Sequence, residues 1–265
     1  MMKRCQLREL HELPWFPRLW RDELTEFLSF FTIYSGVYTP ALHRLVRIME
    51  RADMSETYTD LCSGGGLYEI GFVRRLRTLT GRPVRARLTD LYPNAHWPEV
   101  RRLAPESIGY VPEPCPAETA IARYPGLHVM FSGLHHFTPE EIASMVKCAS
   151  QHGRSLAFFD YSRRNFWREL LPMLAAIPLM LLTAFLVWPF SWKRLCFTWL
   201  VPVLPLLLWI DGWISRFRAY EAEELERVVR ALDLPPACRV ETGRLPCCGR
   251  LGAVTYLVIE CLNLE

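Results

Sequence analysis

The sequence predicts an α/β fold: a doubly wound, mostly parallel β-sheet covered on both faces by helices and interrupted by a hydrophobic helical hairpin. Three observations predict it. From Thr57 to Phe159 short apolar runs alternate with helical stretches, as strands buried on both faces do. A glycine turn, Gly64-Gly65-Gly66, joins the first such run to the next helical stretch. Leu170–Trp192 and Leu195–Ile210 then break the alternation, with 23 and 16 residues that carry no formal charge.

In chain order, residues 1–50 read as helices. Arg21-Asp22-Glu23-Leu24 leads into an aromatic run from Phe27 to Tyr38, and Pro40 opens an amphipathic stretch with Leu42, Leu45, Val46 and Ile48 towards one side. Tyr58–Leu61 reads as a strand, Leu67–Leu79 as a helix and Val84–Thr89 as the next strand. Ile108–Val111, Val129–Ser132 and Ser155–Phe159 are further short strands. Pro139–Gln151 is a helix that starts with acids and carries Lys147 towards its end, the sense the helix dipole favours. Tyr220–Leu232 repeats the helical pattern, with Leu225, Val228, Val229 and Leu232 on one face. Cys238–Thr242 and Ala253–Glu260 are β-prone strands joined by a Gly/Pro-containing loop, and we assign them to the first sheet. The organisation is therefore an N-terminal helical segment (1–50), a core (51–168), a hairpin (169–215) and a C-terminal part (216–265) that completes the core sheet.

At ~1.5 Å per residue the first uncharged run is about 34 Å long, enough for a ~30 Å hydrocarbon layer. The second, about 24 Å, is short unless Gly212-Trp213-Ile214 extends it past Asp211. Trp188, Trp192, Trp209 and Trp213 lie near the ends, where interfacial aromatics belong. A transmembrane pair and a re-entrant hairpin both fit, and the prolines at 172, 178, 189, 202 and 205 suit either. Arg163, Arg164, Arg168, Arg216 and Arg218 flank the hairpin, against Lys193 and Arg194 at its tip. That asymmetry predicts a membrane protein whose large parts face the cytoplasm.

Composition excludes some classes. Lys+Arg 31 against Asp+Glu 28 leaves a net +3, spread along 265 residues, so no concentrated basic surface for nucleic acid is expected. The nine cysteines have no regular spacing and form no C-x-x-C pair, and Cys247-Cys248 are adjacent. Free thiols in a reducing compartment are expected, and no metal site. The charged N-terminus has no unbroken apolar core of the kind a signal peptide needs.

The chemistry concentrates in Tyr58-Thr-Asp60-Leu-Cys62-Ser63-Gly64-Gly65-Gly66-Leu-Tyr-Glu69: strand, acid, glycine turn, helix. A P-loop would need Gly-Lys-Ser/Thr after the turn, and a dinucleotide fingerprint would need a small residue where Glu69 stands. Asp60 would repel a pyrophosphate but suits a ligand carrying an ammonium and a sulfonium. Downstream, the apolar strand Ala86-Arg-Leu-Thr ends in Asp90-Leu91, 24 residues after Gly66. A carboxylate there has two acceptor oxygens for a cis-diol. Val129-Met-Phe-Ser-Gly-Leu-His135-His136 ends a later strand in paired imidazoles, whose ordinary pKa suits proton transfer near neutrality.

This arrangement resembles the class I S-adenosylmethionine-dependent methyltransferases, in a variant with a hydrophobic hairpin insert. Cys62 stands where their first glycine usually does. The resemblance implies a Rossmann-like sheet with an antiparallel last strand and S-adenosyl-L-methionine as cofactor. It assigns the cofactor to Asp60, Cys62, Ser63, Gly64, Gly65, Gly66, Asp90 and Leu91, with Asp90 on the ribose. His135 and His136 are the catalytic candidates beside the transferred methyl group. Many relatives carry an acid after the third strand; here Tyr110-Val-Pro-Glu113-Pro-Cys-Pro116 offers only Glu113. The segment from Asp211-Gly-Trp to Tyr220 is similar to one in methyltransferase-like sequences that also carry the hairpin. The implied function is methylation of a small-molecule or lipid acceptor at the bilayer by an anchored enzyme, with the N-terminal helices as a lid. The rival is a non-catalytic protein of the same fold that senses the cofactor or tethers a partner. An NAD-linked oxidoreductase is weaker, because of Glu69.

Overall fold

A computed structural model describes residues 4–51, 56–161, 163–247 and 252–261. Its centre is a seven-stranded sheet of β1 (Thr57–Leu61), β2 (Arg85–Thr89), β3 (Ile108–Tyr110), β4 (Leu127–Phe131), β5 (Ser155–Asp160), β6 (Cys238–Cys247) and β7 (Gly252–Cys261). The order is β3-β2-β1-β4-β5-β7-β6. The first five pair in parallel, whereas β7 runs antiparallel to both β5 and β6. This is the Rossmann-like sheet the sequence predicts, with its antiparallel strand last in the chain.

Alternation within the strands builds two cores. On β5, Ala157 and Phe159 face one side, and Leu156 and Phe158 face the other. The first side is covered by α2 (Thr39–Arg51), α3 (Tyr68–Thr80) and α4 (Trp97–Leu103) through Leu45, Ile48, Val73, Leu76 and Trp97. The second is covered by α5 (Ala117–Arg123), α6 (Pro139–Gln151) and α10 (Ala222–Arg230) through Ile121, Ile142, Val146 and Leu225. α6 begins as its sequence dictates: Thr138 Oγ1 accepts from the Glu141 amide at 3.2 Å, and Glu141 returns a bond to the Thr138 amide. The sequence pattern does not reveal α4 and α5. Each has seven residues, too few to show a helical repeat.

Two expectations need correction at the C-terminal ladder. β6 continues past Thr242 to Cys247, so only residues 248–251, Cys248 among them and all outside the described residues, separate it from β7. Gly243 and Pro246 read as turn residues but lie in the ladder. β6 is the edge strand, where a proline without an N–H is tolerated, and a Cβ at Gly243 would lie 2.7 Å from the Tyr256 hydroxyl. The expectation of free thiols throughout also fails, because Cys238 and Cys261 form a disulfide. They are directly opposite one another in the β6–β7 register, a proximity that spacing along the chain does not reveal.

The apolar insert folds as α7 (Phe166–Thr183), α8 (Trp192–Leu195), a π-helical turn over Cys196–Leu200, and α9 (Val203–Arg218). The first uncharged run is therefore not one helix. α7 begins earlier, where Asn165 Oδ1 accepts from the Arg168 amide at 3.1 Å, and ends at Thr183. Its 18 residues are long and apolar enough to cross a membrane, whereas the second run is bent by 80° at residues 201–202. The tip does not project away from the core. Arg194, fully buried, donates to Glu23 Oε2 at 2.7 Å, to Glu26 Oε2 and to the Val187 carbonyl at 2.6 Å. Both glutamates lie on α1 (Arg18–Ser35). α1 also supplies Leu24 and Phe27 to a third apolar cluster with Met180, Val187, Leu204 and Leu207.

Candidate functional site

The strand order reverses between β1 and β4, and open α/β sheets bind ligands beyond the carboxyl ends of the strands at such a switch point. The loop after β1 carries Asp60 to Gly66, and the loop after β4 carries Ser132 to His136. They meet closely: a Cβ on Gly133 would lie 3.2 Å from Cys62 Cβ. The loop after β2, with Asp90, completes the rim. Asp90 Oδ2 accepts from the Gly64 amide at 2.9 Å and Oδ1 from the Tyr92 amide at 2.8 Å. Most of the sequence-predicted cofactor residues thus come together, while Leu91 is about half exposed and Glu113 faces solvent.

The turn's backbone has three left-handed residues: Cys62 (φ 58°), Gly64 (φ 49°) and Gly66 (φ 72°). Cys62 therefore adopts the conformation for which glycine is the unstrained choice. Gly65 serves another purpose. A Cβ there would lie 2.8 Å from the Thr25 carbonyl and 3.0 Å from Glu26 Cα, so α1 packs backbone to backbone on the turn. The N-terminal helix lies over the glycine loop. His96 Nδ1 to Glu26 Oε1 at 2.5 Å and Asn94 to Thr25 at 3.2 Å tie the loop after Asp90 to the same helix.

Asp60 is fully buried. Its Oδ2 accepts from the Tyr68 hydroxyl at 2.7 Å, and its Oδ1 has no hydrogen-bond partner among the described residues. Burial raises its pKa to about 7, reinforced by the nearby Asp90 charge, although the Tyr68 and Ser63 hydrogen bonds pull the other way. Glu69, the residue that argues against a dinucleotide, is buried alongside and accepts from the Tyr58 hydroxyl. Burial and then the Asp60 charge push it well above the carboxylate range.

Facing this turn is a polar cluster drawn from three elements: the N-terminal segment with a 3-10 turn at Leu10–Glu12, a second 3-10 turn at Leu134–His136, and the C-terminal half of α9. His135 Nδ1 lies 2.6 Å from Asp160 Oδ2, and its Nε2 lies 3.3 Å from Glu9 Oε1. Burial alone would lower His135, but the Asp160 and Glu9 carboxylates outweigh it and hold the imidazolium, with a pKa of about 10. His136 has the opposite bias: burial and then the His135 charge push it down, although Glu9 and Glu12 raise it. Its Nδ1 contacts Glu12 Oε1. Glu12 is fixed by Arg218, whose Nη1 donates to both of its oxygens at 2.7 and 2.8 Å. Burial would raise Glu12, but the His136 hydrogen bond and Arg218 bring it to about 2. His11 Nδ1 meets Asp211 Oδ2 at 2.9 Å, and the Tyr92 hydroxyl donates to the Glu12 carbonyl at 3.3 Å. That last contact links the cluster to the Asp90 loop.

Sequence reasoning misses Glu9, His11, Glu12 and Asp160. The first three sit in a short charged stretch without periodicity, and Asp160 ends a strand outside any motif. Asp211 and Arg218 do have a signal, since both lie in the segment from Asp211 to Tyr220 that the resemblance singles out.

The sheet defines a Rossmann-like α/β protein, and the candidate site lies at its β1–β4 switch point. No known family profile and no curated protein matches the chain. Solved structures do match it. Magnesium protoporphyrin IX methyltransferase from Synechocystis PCC 6803, solved with bound SAH, is 11% identical, with TM-score 0.45 over 87% of this chain and 84% of that one. An O-methyltransferase family protein from Burkholderia thailandensis is 12% identical, with TM-score 0.49 over 91% and 60%. Human N-acetylserotonin methyltransferase, in complex with SAM, is 10% identical, with TM-score 0.44 over 88% and 55%. The chain thus spans less than two thirds of the latter two. The strand order above, rather than these scores, carries the fold assignment.

Proposed function

We propose that the chain is an S-adenosylmethionine-dependent methyltransferase, associated with a membrane and acting on a small or lipophilic acceptor. The observation that carries this reading is Asp60: a fully buried carboxylate at the switch point, one oxygen of which lacks a partner among the described residues. An unsatisfied buried acceptor is costly, and a ligand ammonium resolves that cost. The cofactor fits the donor set. Asp60 and the Cys62–Gly66 turn take the methionine portion, and Asp90 takes the ribose through the outer lone pairs of oxygens already oriented by Gly64 and Tyr92.

When bound, the cofactor supplies a methyl group already activated by its sulfonium. The remaining work is placement, at ~3–3.5 Å from the acceptor, and removal of the acceptor's proton. His136 is suited to the second task. With Nδ1 directed to Glu12, its Nε2 is the proton-accepting nitrogen of a carboxylate-oriented imidazole. His135 is held between Asp160 and Glu9 and positions that base. The 3-10 turn at Leu10–Glu12 and α1 close over the site and exclude water.

Membrane association rests on the outer face of the insert, where Trp167, Leu171, Leu182, Trp192, Leu200 and Leu206 are exposed. Five of the seven basic residues that suggest an orientation are paired within the fold: Arg163 and Arg216 with Glu169, Arg164 with Glu224, Arg194 with Glu23 and Glu26, and Arg218 with Glu12; Arg168 and Lys193 are exposed. With Arg194 held on α1, embedding in the plane of one leaflet fits better than a hairpin with its tip across the bilayer.

Isothermal titration with S-adenosylmethionine tests the cofactor. Saturable binding, at least tenfold weaker in Asp60→Asn and also weakened in Asp90→Ala, is expected; no binding to the parent protein overturns the proposal. Radiolabelled cofactor incubated with total membrane lipid then tests the acceptor. Label in the lipid fraction that disappears in Asp60→Asn supports a lipophilic acceptor, and label confined to soluble metabolites removes that part.

A further inference from the structure

Four carboxylates and three imidazoles converge above the glycine turn, more than proton transfer needs. Glu9, Asp160 and Asp211 are each at most 5 % exposed, and Glu12 is half-buried. Arg218 is a guanidinium among them, and it donates to both Glu12 oxygens and to the His135 and His136 carbonyls. Glu9 and Asp160 both face His135, so a cation in place of its proton would meet the same carboxylates.

The geometry says where the cation goes. His135 directs Nδ1 at Asp160 Oδ2, which leaves Nε2 as the nitrogen that faces Glu9 Oε1 at 3.3 Å. Charge-assisted N–H···O contacts are usually shorter, about 2.7–2.9 Å. Two donors bonded to one tetrahedral ion at about 2.0–2.1 Å stand about 3.3 Å apart. His136 lies 3.9 Å from the same oxygen, and its ring centroid is 4.3 Å from that of His135. One donor atom each from Glu9, His135 and His136 fall within 4.8 Å of one another, as do those of Glu9, His11 and Asp211. The Asp160–His135 pair has the form of the carboxylate–imidazole couples that orient metal-bound histidines, and Ser215 donates to Glu9 Oε1 at 2.9 Å from behind.

We propose that Glu9, His135 and His136 bind a divalent transition-metal ion such as Zn²⁺, with Asp160 and Ser215 orienting the ligands and His11 and Asp211 beside it. A proton on His135 and the metal compete for one lone pair, so uptake of the ion releases protons. Three protein ligands leave a fourth position on the half-buried Glu12 side, open to an acceptor oxygen or water; in the ion-bound state His136 Nδ1 turns from Glu12 to the ion, so His136 serves as a ligand rather than as the base. The inference does not rest on the methyl-transfer reading, since it concerns ion binding alone.

Full-length protein stripped with a chelator and titrated with Zn²⁺ against a chromogenic competitor tests it. One ion per chain is expected, with affinity at least tenfold weaker in Glu9→Gln and His135→Ala and 10- to 100-fold weaker in Asp160→Asn. Far-UV circular dichroism checks that each variant folds. Co²⁺ substitution of the parent protein gives a second readout that needs no variant. Intense visible d–d bands without a thiolate charge-transfer band support the site. A spectrum like that of the aquated ion, a thiolate band, or Zn²⁺ affinity unchanged in folded Glu9→Gln overturns it. Protein that binds Zn²⁺ but not S-adenosylmethionine would sink the methyltransferase reading and leave this one standing.

Discussion

At the residue scale the turn after β1 concentrates both the strain and the ionisation that the proposed chemistry uses. Asp60 ordinarily ionises near 3.8 but is raised to about 7 in the fold. A raised acid means that the native state keeps a proton the unfolded chain gives up. Its contribution to stability is therefore full below about pH 4 and is lost as pH rises through about 7. Ligand binding has the opposite slope, because an ammonium needs the ionised carboxylate. S-adenosylmethionine affinity is expected to increase from pH 6 to pH 8, and Asp60→Asn to bind at least tenfold more weakly with that pH slope removed. Titration calorimetry across this range is the check; a slope retained in Asp60→Asn assigns it to another group. Cys62 tests the backbone. A left-handed non-glycine residue is disfavoured by roughly 1–2 kcal/mol, so Cys62→Gly is expected to be about 1 kcal/mol more stable than Cys62→Ala. Equal denaturation midpoints for the pair would show that the φ of 58° is not strained.

At the scale of elements, α1 connects the hairpin tip to the glycine turn. One face of it receives Arg194 through Glu23 and Glu26, and another lies on Gly65. Glu26 also reaches His96 in the loop that follows Asp90. Removing one member of a buried ion group leaves the others desolvated and unpaired, which costs about 3–5 kcal/mol. Arg194→Met is accordingly expected to destabilise the detergent-solubilised protein by that amount. Adding Glu23→Gln and Glu26→Gln should recover most of it, because neutral amides tolerate burial better. If Arg194→Met is neutral by itself, the tip is not held on α1, and the in-plane reading of the insert loses its support.

At the scale of the whole molecule, the sheet was legible in the sequence because its strands are buried on both faces and read as apolar runs. The switch-point loop was legible because strand, acid and glycines are contiguous along the chain. What escaped was assembled across the fold: the ladder that brings Cys238 opposite Cys261, the short α4 and α5, and a cluster whose members come from residues 9–12, 135–136, 160 and 211–218. The hairpin was half legible. Its apolar length is written in the sequence, but the burial of Arg194 at its tip is not, since Arg194 finds its partners about 170 positions away, at separations of 171 and 168. That difference decides the topology. Lys193 is exposed at the tip, and Arg227 is exposed on α10 of the core. With an in-plane insert both lie on one side of the bilayer; with a spanning hairpin they lie on opposite sides. Single cysteines at Lys193 and Arg227, in a background without other reactive thiols, are therefore expected to react alike with a membrane-impermeant maleimide added outside sealed vesicles. Labelling of one and protection of the other would establish a crossing hairpin, and would require Arg194 to leave Glu23 and Glu26 when the protein enters the membrane.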